Sequence, residues 1–272
     1  VRAEEFAYLS DPAPLALAHR GGAAYAPNLG LENTMAAFRR AVDLGYRYLE
    51  TDVHATRDGH LVAFHDTVLD RTTDARGAIA DLTWREVRRA RVGGTEPVPL
   101  LSDVFEEWPD VRVNIDVKAD TALEPTLRTV AEHGATDRVC IGSFSERRLR
   151  AARRALGPGV ATAAGQVGTA LLRFTPGALS RLLHTPAPVL QIPAHHRLRG
   201  RTITLVTPGL VRRAHDLGKH VHVWFHSWSR EDAHEMHRLL DLGVDGIVTD
   251  HIDVLRDVLA ERGLPLSRPP RS

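Results

Sequence analysis

The chain has 272 residues, 43% of them hydrophobic, with 35 Lys+Arg set against 34 Asp+Glu, 15 His and one Cys. A net charge of +1 leaves no positive field for general binding to nucleic acid or membrane surfaces, and Cys140 has no partner for a disulfide framework. The N-terminal VRAEEFAYLSDPAP lacks an apolar core, and no stretch approaches the ~20 apolar residues of a membrane span, so a cytoplasmic protein without stable membrane insertion is expected.

In chain order, apolar runs with strand character cover 15–19, 46–53, 61–65, 111–118, 138–142, 159–163, 189–192, 220–225 and 246–249. Amphipathic helical patterns follow most of them, at 34–44, 123–132, 146–156, 209–217, 230–240 and 254–262. Gly45, Gly134, Gly218 and Gly243 stand where a helix needs a left-handed C-cap. Strand–helix alternation at roughly 30-residue spacing, repeated about eight times, predicts an α/β fold of the (β/α)8 barrel type. An open doubly wound sheet is the competing reading. It is weakened because no Gly-rich phosphate loop follows the first strand. Residues 66–99 break the alternation and are expected to form an insertion after the second barrel strand, within a single domain over 1–262. The tail 263–272 is expected to be disordered.

Polar residues collect at the ends of the early strands, where barrel enzymes carry their chemistry. LALAH ends at His19, followed by Arg20-Gly21-Gly22, and LVAFH ends at His65. YLETDV places Glu50 and Asp52 on one strand face, and VRVNIDVK places Asn114, Asp116 and Lys118 on the face opposite Val113, Ile115 and Val117. Each feature alone has a plain reading as a strand-end histidine, a solvated acid pair or an Asp116–Lys118 ion pair. Together they are harder to dismiss. Three carboxylates converging on one barrel mouth would repel by ~4 kcal/mol per pair at ~4 Å and an effective dielectric of ~20. They need a cation, and an all-oxygen set favours Ca2+ or Mg2+ over Zn2+. Two histidines beside such an ion offer an acid and a base, and Arg20 and Lys118 suit phosphate oxygens. That combination fits phosphodiester cleavage.

On these residues the sequence resembles the glycerophosphodiester phosphodiesterases. The likeness runs through AHRGG (18–22), ENTMAAFRRAVDLGYRYLETDVHATRDGHLVAFHD (32–66), LDRTTDARGAIADLTW (69–84), VPLLSDV (98–104), NIDVK (114–118), HVWF (222–225) and GVDGIVTD (243–250). It implies a (β/α)8 barrel in which 61–65 continues a hairpin-like unit with the second strand and forms no stave of its own. It implies a divalent metal at Glu50, Asp52 and Asp116, His19 and His65 as the acid–base pair, and Arg20 and Lys118 on the phosphate. Trp224 matches an aromatic position near the substrate. The implied reaction converts a small-molecule glycerophosphodiester to sn-glycerol 3-phosphate and an alcohol. The likeness favours His19 as base and His65 as acid, an order the residues themselves leave open. Three departures stand out: Asp116 where the family usually has Glu, the long loop GAAYAPNLGL with Leu31 in place of Pro, and His226-Ser227 after HVWF where Val-Asn is common.

A lysophospholipase D- or C-like activity would use the same barrel and bond, and a catalytically silent phosphate-ester-binding module is the reading from another class. A two-carboxylate glycosidase is disfavoured by the two imidazoles and two cations. Among the other histidines, His222 shares strand parity with Trp224 and is a candidate for substrate contact. His54 and His60 are expected to flank a turn, His195-His196 to lie in a polar loop, and His234 and His237 on a solvated helix face. Cys140 is expected to be buried.

Overall fold

The computed structural model describes residues 1–165, 185–198 and 200–266. Eight strands form the barrel: β1 (Leu15–His19), β2 (Tyr48–Ala55), β6 (Arg112–Val117), β7 (Val139–Gly142), β8 (Ala161–Thr162), β9 (Val189–Pro193), β12 (His220–Trp224) and β13 (Gly246–Thr249). They pair in parallel in the order β8-β7-β6-β2-β1-β13-β12-β9, and a parallel bridge from Ala163 to Val189 links the two ends. This is the expected (β/α)8 architecture, nearly closed. β3 (Leu61–Ala63) pairs antiparallel with β2 and adds no stave.

The helices are α1 (Met35–Asp43), α2 (Trp84–Val87), α3 (Leu101–Glu107), α4 (Leu123–Glu132), α5 (Glu146–Leu156), α6 (Pro208–Asp216), α7 (Ala233–Asp241) and α8 (Ile252–Glu261). α3 lies outside the helices expected from periodicity, because seven residues are too few to display an amphipathic repeat. α1 starts where the Thr34 side chain accepts the Ala37 N–H, buries Ala37, Phe38 and Ala41, and gives way to Gly45 at φ +102°.

Strand alternation sends the two faces to different cores. Outward residues such as Leu49, Val53, Val113, Ile115 and Val117 pack beneath the helices. The lower interior holds Leu15, Leu17, Tyr48, Cys140, Ala161, Val189 and Val248, stoppered by Ala3, Phe6, Tyr8 and Leu9 from two short 3-10 turns. The Tyr48 hydroxyl donates to the Tyr8 carbonyl at 2.9 Å, tying the stopper to β2. With the bottom filled, the accessible interior is the C-terminal mouth.

The insertion holds α2 and a small hairpin of β4 (Arg91–Val92) and β5 (Glu96–Pro97). It packs its own core of Leu69, Ile79, Val87, Ala90, Val92 and Val98 against Val62 and Phe64. A second hairpin, β10 (His195–Leu198) with β11 (Arg201–Thr204), follows β9. The loop expected at His195-His196 is therefore strand. Of the tail, Leu264 and Leu266 pack against the outer core, so the chain is ordered at least that far, and 267–272 lie outside the described residues.

Gly22 offers a test of how tightly the β1 turn is built. Its φ is +87°, and an added Cβ would fall 2.6–2.7 Å from three side-chain atoms of Ile252. Gly22→Ala is expected to cost roughly 1–3 kcal/mol by overpacking, on top of about 1 kcal/mol for the left-handed backbone. Gly30→Ala, at φ +77° with nothing within 4 Å, should show only the backbone cost. Equal losses in the two unfolding curves would refute the packing argument.

Candidate active site

The site begins with a sharp turn. Arg20, Gly21 and Gly22 follow β1 with φ of 49°, 83° and 87°, three successive left-handed residues that fold the chain back over the strand end. The Arg20 amide thereby donates to Glu50 Oε2 at 3.2 Å. For a non-glycine residue this backbone carries strain, and Asn33, at φ 57°, carries it as well. Both residues serve Asp52. The Arg20 guanidinium lies 3.2 Å from Asp52 Oδ2, and the Asn33 side-chain amide donates to the same oxygen at 3.3 Å while accepting from the Thr51 hydroxyl at 2.8 Å.

Strand register brings the acids together. His19 is level with Glu50, and Asp52 with Asp116. The Lys118 ammonium reaches between the latter two, 2.8 Å from Asp52 Oδ1 and 2.7 Å from Asp116 Oδ2. Asp52 is 1% exposed, and although burial raises its carboxyl, Lys118 and Arg20 outweigh that and hold it below the usual range. Glu50 is 6% exposed and is pushed up by burial and by Asp52.

Both histidines are oriented by carboxylates. His19 Nδ1 is 2.7 Å from Asp250 Oδ1, and its Nε2 is 3.8 Å from Glu50 Oε2. Burial lowers the His19 imidazole, but Glu50 and Asp250 overcome it and raise it to about 9. Asp250 is fixed in turn by Glu231, whose Oε1 accepts from the Asp250 amide at 2.8 Å and the Thr249 hydroxyl at 2.6 Å. His65 Nδ1 is 2.6 Å from Asp66 Oδ1. Hydrogen bonding from Arg71 lowers the Asp66 carboxyl to about 2, and Arg71 also grips Glu32, which pairs with Arg20 at 3.2 Å. His54 Nε2 donates to the His65 carbonyl at 3.0 Å from inside β2, where it is 5% exposed. It is thus a buried strand residue and not a turn-flanking one.

The structure therefore brings His19, Arg20, Glu50, Asp52, His65, Asp116 and Lys118 to one mouth. Trp224 is half-buried at the end of β12, across the ring from β6. His222 does not reach the mouth. It is fully buried within the barrel, neither ring nitrogen has a hydrogen-bond partner, and burial followed by the neighbouring His220 lowers it to about 3. No group of three His, Cys, Asp or Glu side chains among the described residues is arranged as a ready metal cage, since the Lys118 ammonium stands between two of the expected ligands. In donor chemistry the trio nonetheless fits a hard cation: three carboxylates, all oxygen, on adjacent strands of one mouth. Sequence reasoning missed Asp250, Glu231, Asp66, Arg71, Glu32, Asn33 and His54. The available signal was the acid at the strand end in GIVTD and the acid after histidine in FHD.

Cleaving a phosphodiester calls for proton transfer at two oxygens and positive charge near the phosphoryl group. A barrel mouth with two carboxylate-backed imidazoles, a guanidinium and an ammonium is equipped as a phosphodiester hydrolase. Residues 19–254 match the model of the glycerophosphoryl diester phosphodiesterase family. A Mycobacterium tuberculosis protein named "Probable glycerophosphodiester phosphodiesterase 2" is 42% identical over 94% of both chains. The glycerophosphodiester phosphodiesterase of Caldanaerobacter subterraneus is 31% identical over 92% of this chain and 99% of its own. The fold also matches an Oleispira antarctica phosphodiesterase solved in complex with the product sn-glycerol-3-phosphate, with a TM-score of 0.71, 23% identity, and coverage of 91% and 97%. The chain belongs to the glycerophosphoryl diester phosphodiesterase family, and its activity is that of a glycerophosphodiester phosphodiesterase.

Asp250 tests the orientation of His19. Asp250→Asn keeps the shape but no longer anchors the Nδ1–H tautomer with a charge, and is expected to lower kcat by about 10²-fold or more. KM and the unfolding midpoint should change little, and an unaltered kcat would refute the role.

Proposed function

We propose that this enzyme hydrolyses glycerophosphodiesters to sn-glycerol 3-phosphate and an alcohol by acid–base catalysis between His19 and His65. The observation that carries the reading is the matched pair of imidazoles. Each has Nδ1 held by its own carboxylate, leaving Nε2 for chemistry. Arg20 and Lys118 bind the phosphoryl oxygens, and the aromatic face of Trp224 borders the bound diester.

One histidine takes a proton from the nucleophile, either water or the glycerol 2-hydroxyl, as its oxygen bonds to phosphorus. The bond from phosphorus to the alcohol oxygen breaks, and the other histidine delivers a proton to that oxygen. Where the 2-hydroxyl attacks, the product is a cyclic phosphate, which water then opens with the two histidines in exchanged roles to give sn-glycerol 3-phosphate. The family likeness favours His19 as base and His65 as acid, and a cation held at Glu50 would offset the charge that raises His19 to about 9, leaving its imidazole able to accept a proton. Glu50, Asp52 and Asp116 would hold a divalent cation, Ca2+ or Mg2+, which supplies positive charge for the phosphoryl oxygens when bound. Asp116 is one methylene shorter than the family's usual Glu, so its carboxylate approaches from closer to β6. A small-molecule substrate is consistent with a mouth of this kind. No helix among the described residues is long and apolar enough to cross a membrane.

His19→Ala and His65→Ala are each expected to lower kcat by roughly 10²–10⁴ with the fold retained. A glycerophosphate ester of p-nitrophenol, whose leaving group needs no proton, should restore most of the rate to His65→Ala and little to His19→Ala. Rescue of the opposite variant would exchange the two roles, and near-wild-type turnover in either variant would remove that histidine from the mechanism. Chelation should abolish activity, and added Ca2+ or Mg2+ should restore it. Full activity in chelator would overturn the metal assignment.

A further inference from the structure

The β10–β11 hairpin rises directly after β9, which lies four strands from β2 in the eight-membered ring and so faces it across the mouth. Its sequence over 195–201, HHRLRGR, holds three arginines, two histidines and no acid, in a chain whose net charge is only +1. The hairpin is tied to the end of β12, because the Ala194 amide donates to the Trp224 carbonyl at 2.9 Å and the Leu205 amide to the Ala194 carbonyl at 3.1 Å.

From Trp224 a stack of rings climbs to this hairpin. The His226 ring meets Trp224 edge-on at 4.5 Å, Trp228 lies against His226 at 4.9 Å and 15°, and the Arg197 guanidinium sits 4.3 Å above the Trp228 ring. The turn beneath is pinned by the Ser229 amide and hydroxyl, both donating to the His226 carbonyl at 2.8 Å. His226 stands where the family often has Val, and Trp228 extends the stack beyond it. Arg197 is exposed and has no ion pair among the described residues. Glu235, 3.8 Å from His195, is already held by Arg238 at 2.6 Å. A guanidinium held flat by an aromatic face, with its N–H edge free, is pre-organised for a planar or tetrahedral anion.

A diester whose phosphorus rests near Arg20 and Lys118 can extend one ester arm across the mouth toward β9 and β12, the strands that face β2 and β6. We propose that Arg197, stacked on Trp228, forms a subsite for the alcohol arm and selects glycerophosphodiesters whose alcohol carries a second anionic group, a phosphate or a carboxylate. The proposal rests on the hydrolytic reading above and adds the chemistry of the leaving alcohol. Cationic alcohols such as choline meet a like charge there.

Three substrates sharing the glycerophosphate half separate the possibilities: glycerophosphoglycerol, the same diester with a phosphate monoester on its far glycerol, and glycerophosphocholine. In the wild type, kcat/KM for the anionic alcohol should exceed that for the neutral one by roughly tenfold, the size of one charge-assisted contact. Arg197→Ala and Trp228→Ala should bring the ratio toward one, Arg197→Glu should invert it, and the distant Arg256→Ala should leave it at the wild-type value. A wild-type ratio of one overturns the subsite, as does an equal loss on all three substrates in Arg197→Ala. Sedimentation with phosphatidylglycerol vesicles covers the other use of a basic hairpin: binding lost in Arg197→Glu with an unchanged substrate ratio would make the hairpin a membrane contact and overturn the proposal. Wild-type inactivity on all three would instead refute the hydrolytic reading beneath it.

Discussion

A carboxylate on an interior strand stays ionised only if cations are aimed at it, and Asp52 imposes that demand on everything around it. Its burial is nearly complete, so water contributes little, and an unpaired charge there would cost several kcal/mol. Lys118 comes from the neighbouring β6 by simple register. Arg20 has a harder task, since it must turn back from the end of β1, and that requirement accounts for the left-handed backbone at Arg20 and the two glycines after it. Asn33 accepts the same strain so that its amide can serve Asp52 and Thr51 together. The HRGG and ENT segments are in this sense the backbone consequences of one buried acid.

The demand passes outward through shared partners. Arg20 also pairs with Glu32, Glu32 with Arg71, Arg71 with Asp66, and Asp66 with His65. An alternating chain of charge thus runs from the β1 turn into the insertion, whose separate apolar core keeps Arg71 in place. His19 is set by another route. Its partner Asp250 is 231 residues away and arrives only because β13 closes on β1 with Thr249 beside Ala18. One histidine is oriented by the insertion and the other by ring closure, so the pair exists only in the complete barrel.

This division explains what was legible in the sequence. Strand ends and Gly-capped helices are local patterns, and His19, His65, Glu50, Asp52, Asp116 and Lys118 could be placed from them. The groups that orient them could not, because nothing local pairs Asp250 with His19 or Arg71 with Glu32. Apolar alternation ends at Val53 and so points His54 toward the turn, whereas β2 runs on to Ala55. The stopper beneath the barrel is built from three-residue turns that have no period to detect. His222 shows a different limit. Parity with Trp224 correctly gives its face, but parity carries no depth, and two residues along a strand lower a side chain by about 6–7 Å.

The near-neutral composition also conceals a division of labour across the mouth. On the β1, β2 and β6 side, the four acids Glu50, Asp52, Asp116 and Asp250 face the three cations Arg20, Lys118 and the raised His19 imidazole, which leaves this set one negative charge in excess. A phosphodiester adds another. A buried site cannot hold two uncompensated negative charges, so a substrate anion enters there only if positive charge enters with it or is already present. A divalent cation held by Glu50, Asp52 and Asp116 would meet that count, and three carboxylates suit a hard ion such as Ca2+ or Mg2+. The β9 and β12 side carries the hairpin segment 195–201, which has three arginines and no acid of its own. On the proposed roles, a cation at the β2 and β6 acids and the arginines of the facing hairpin would set the two ends of a bound diester in one direction.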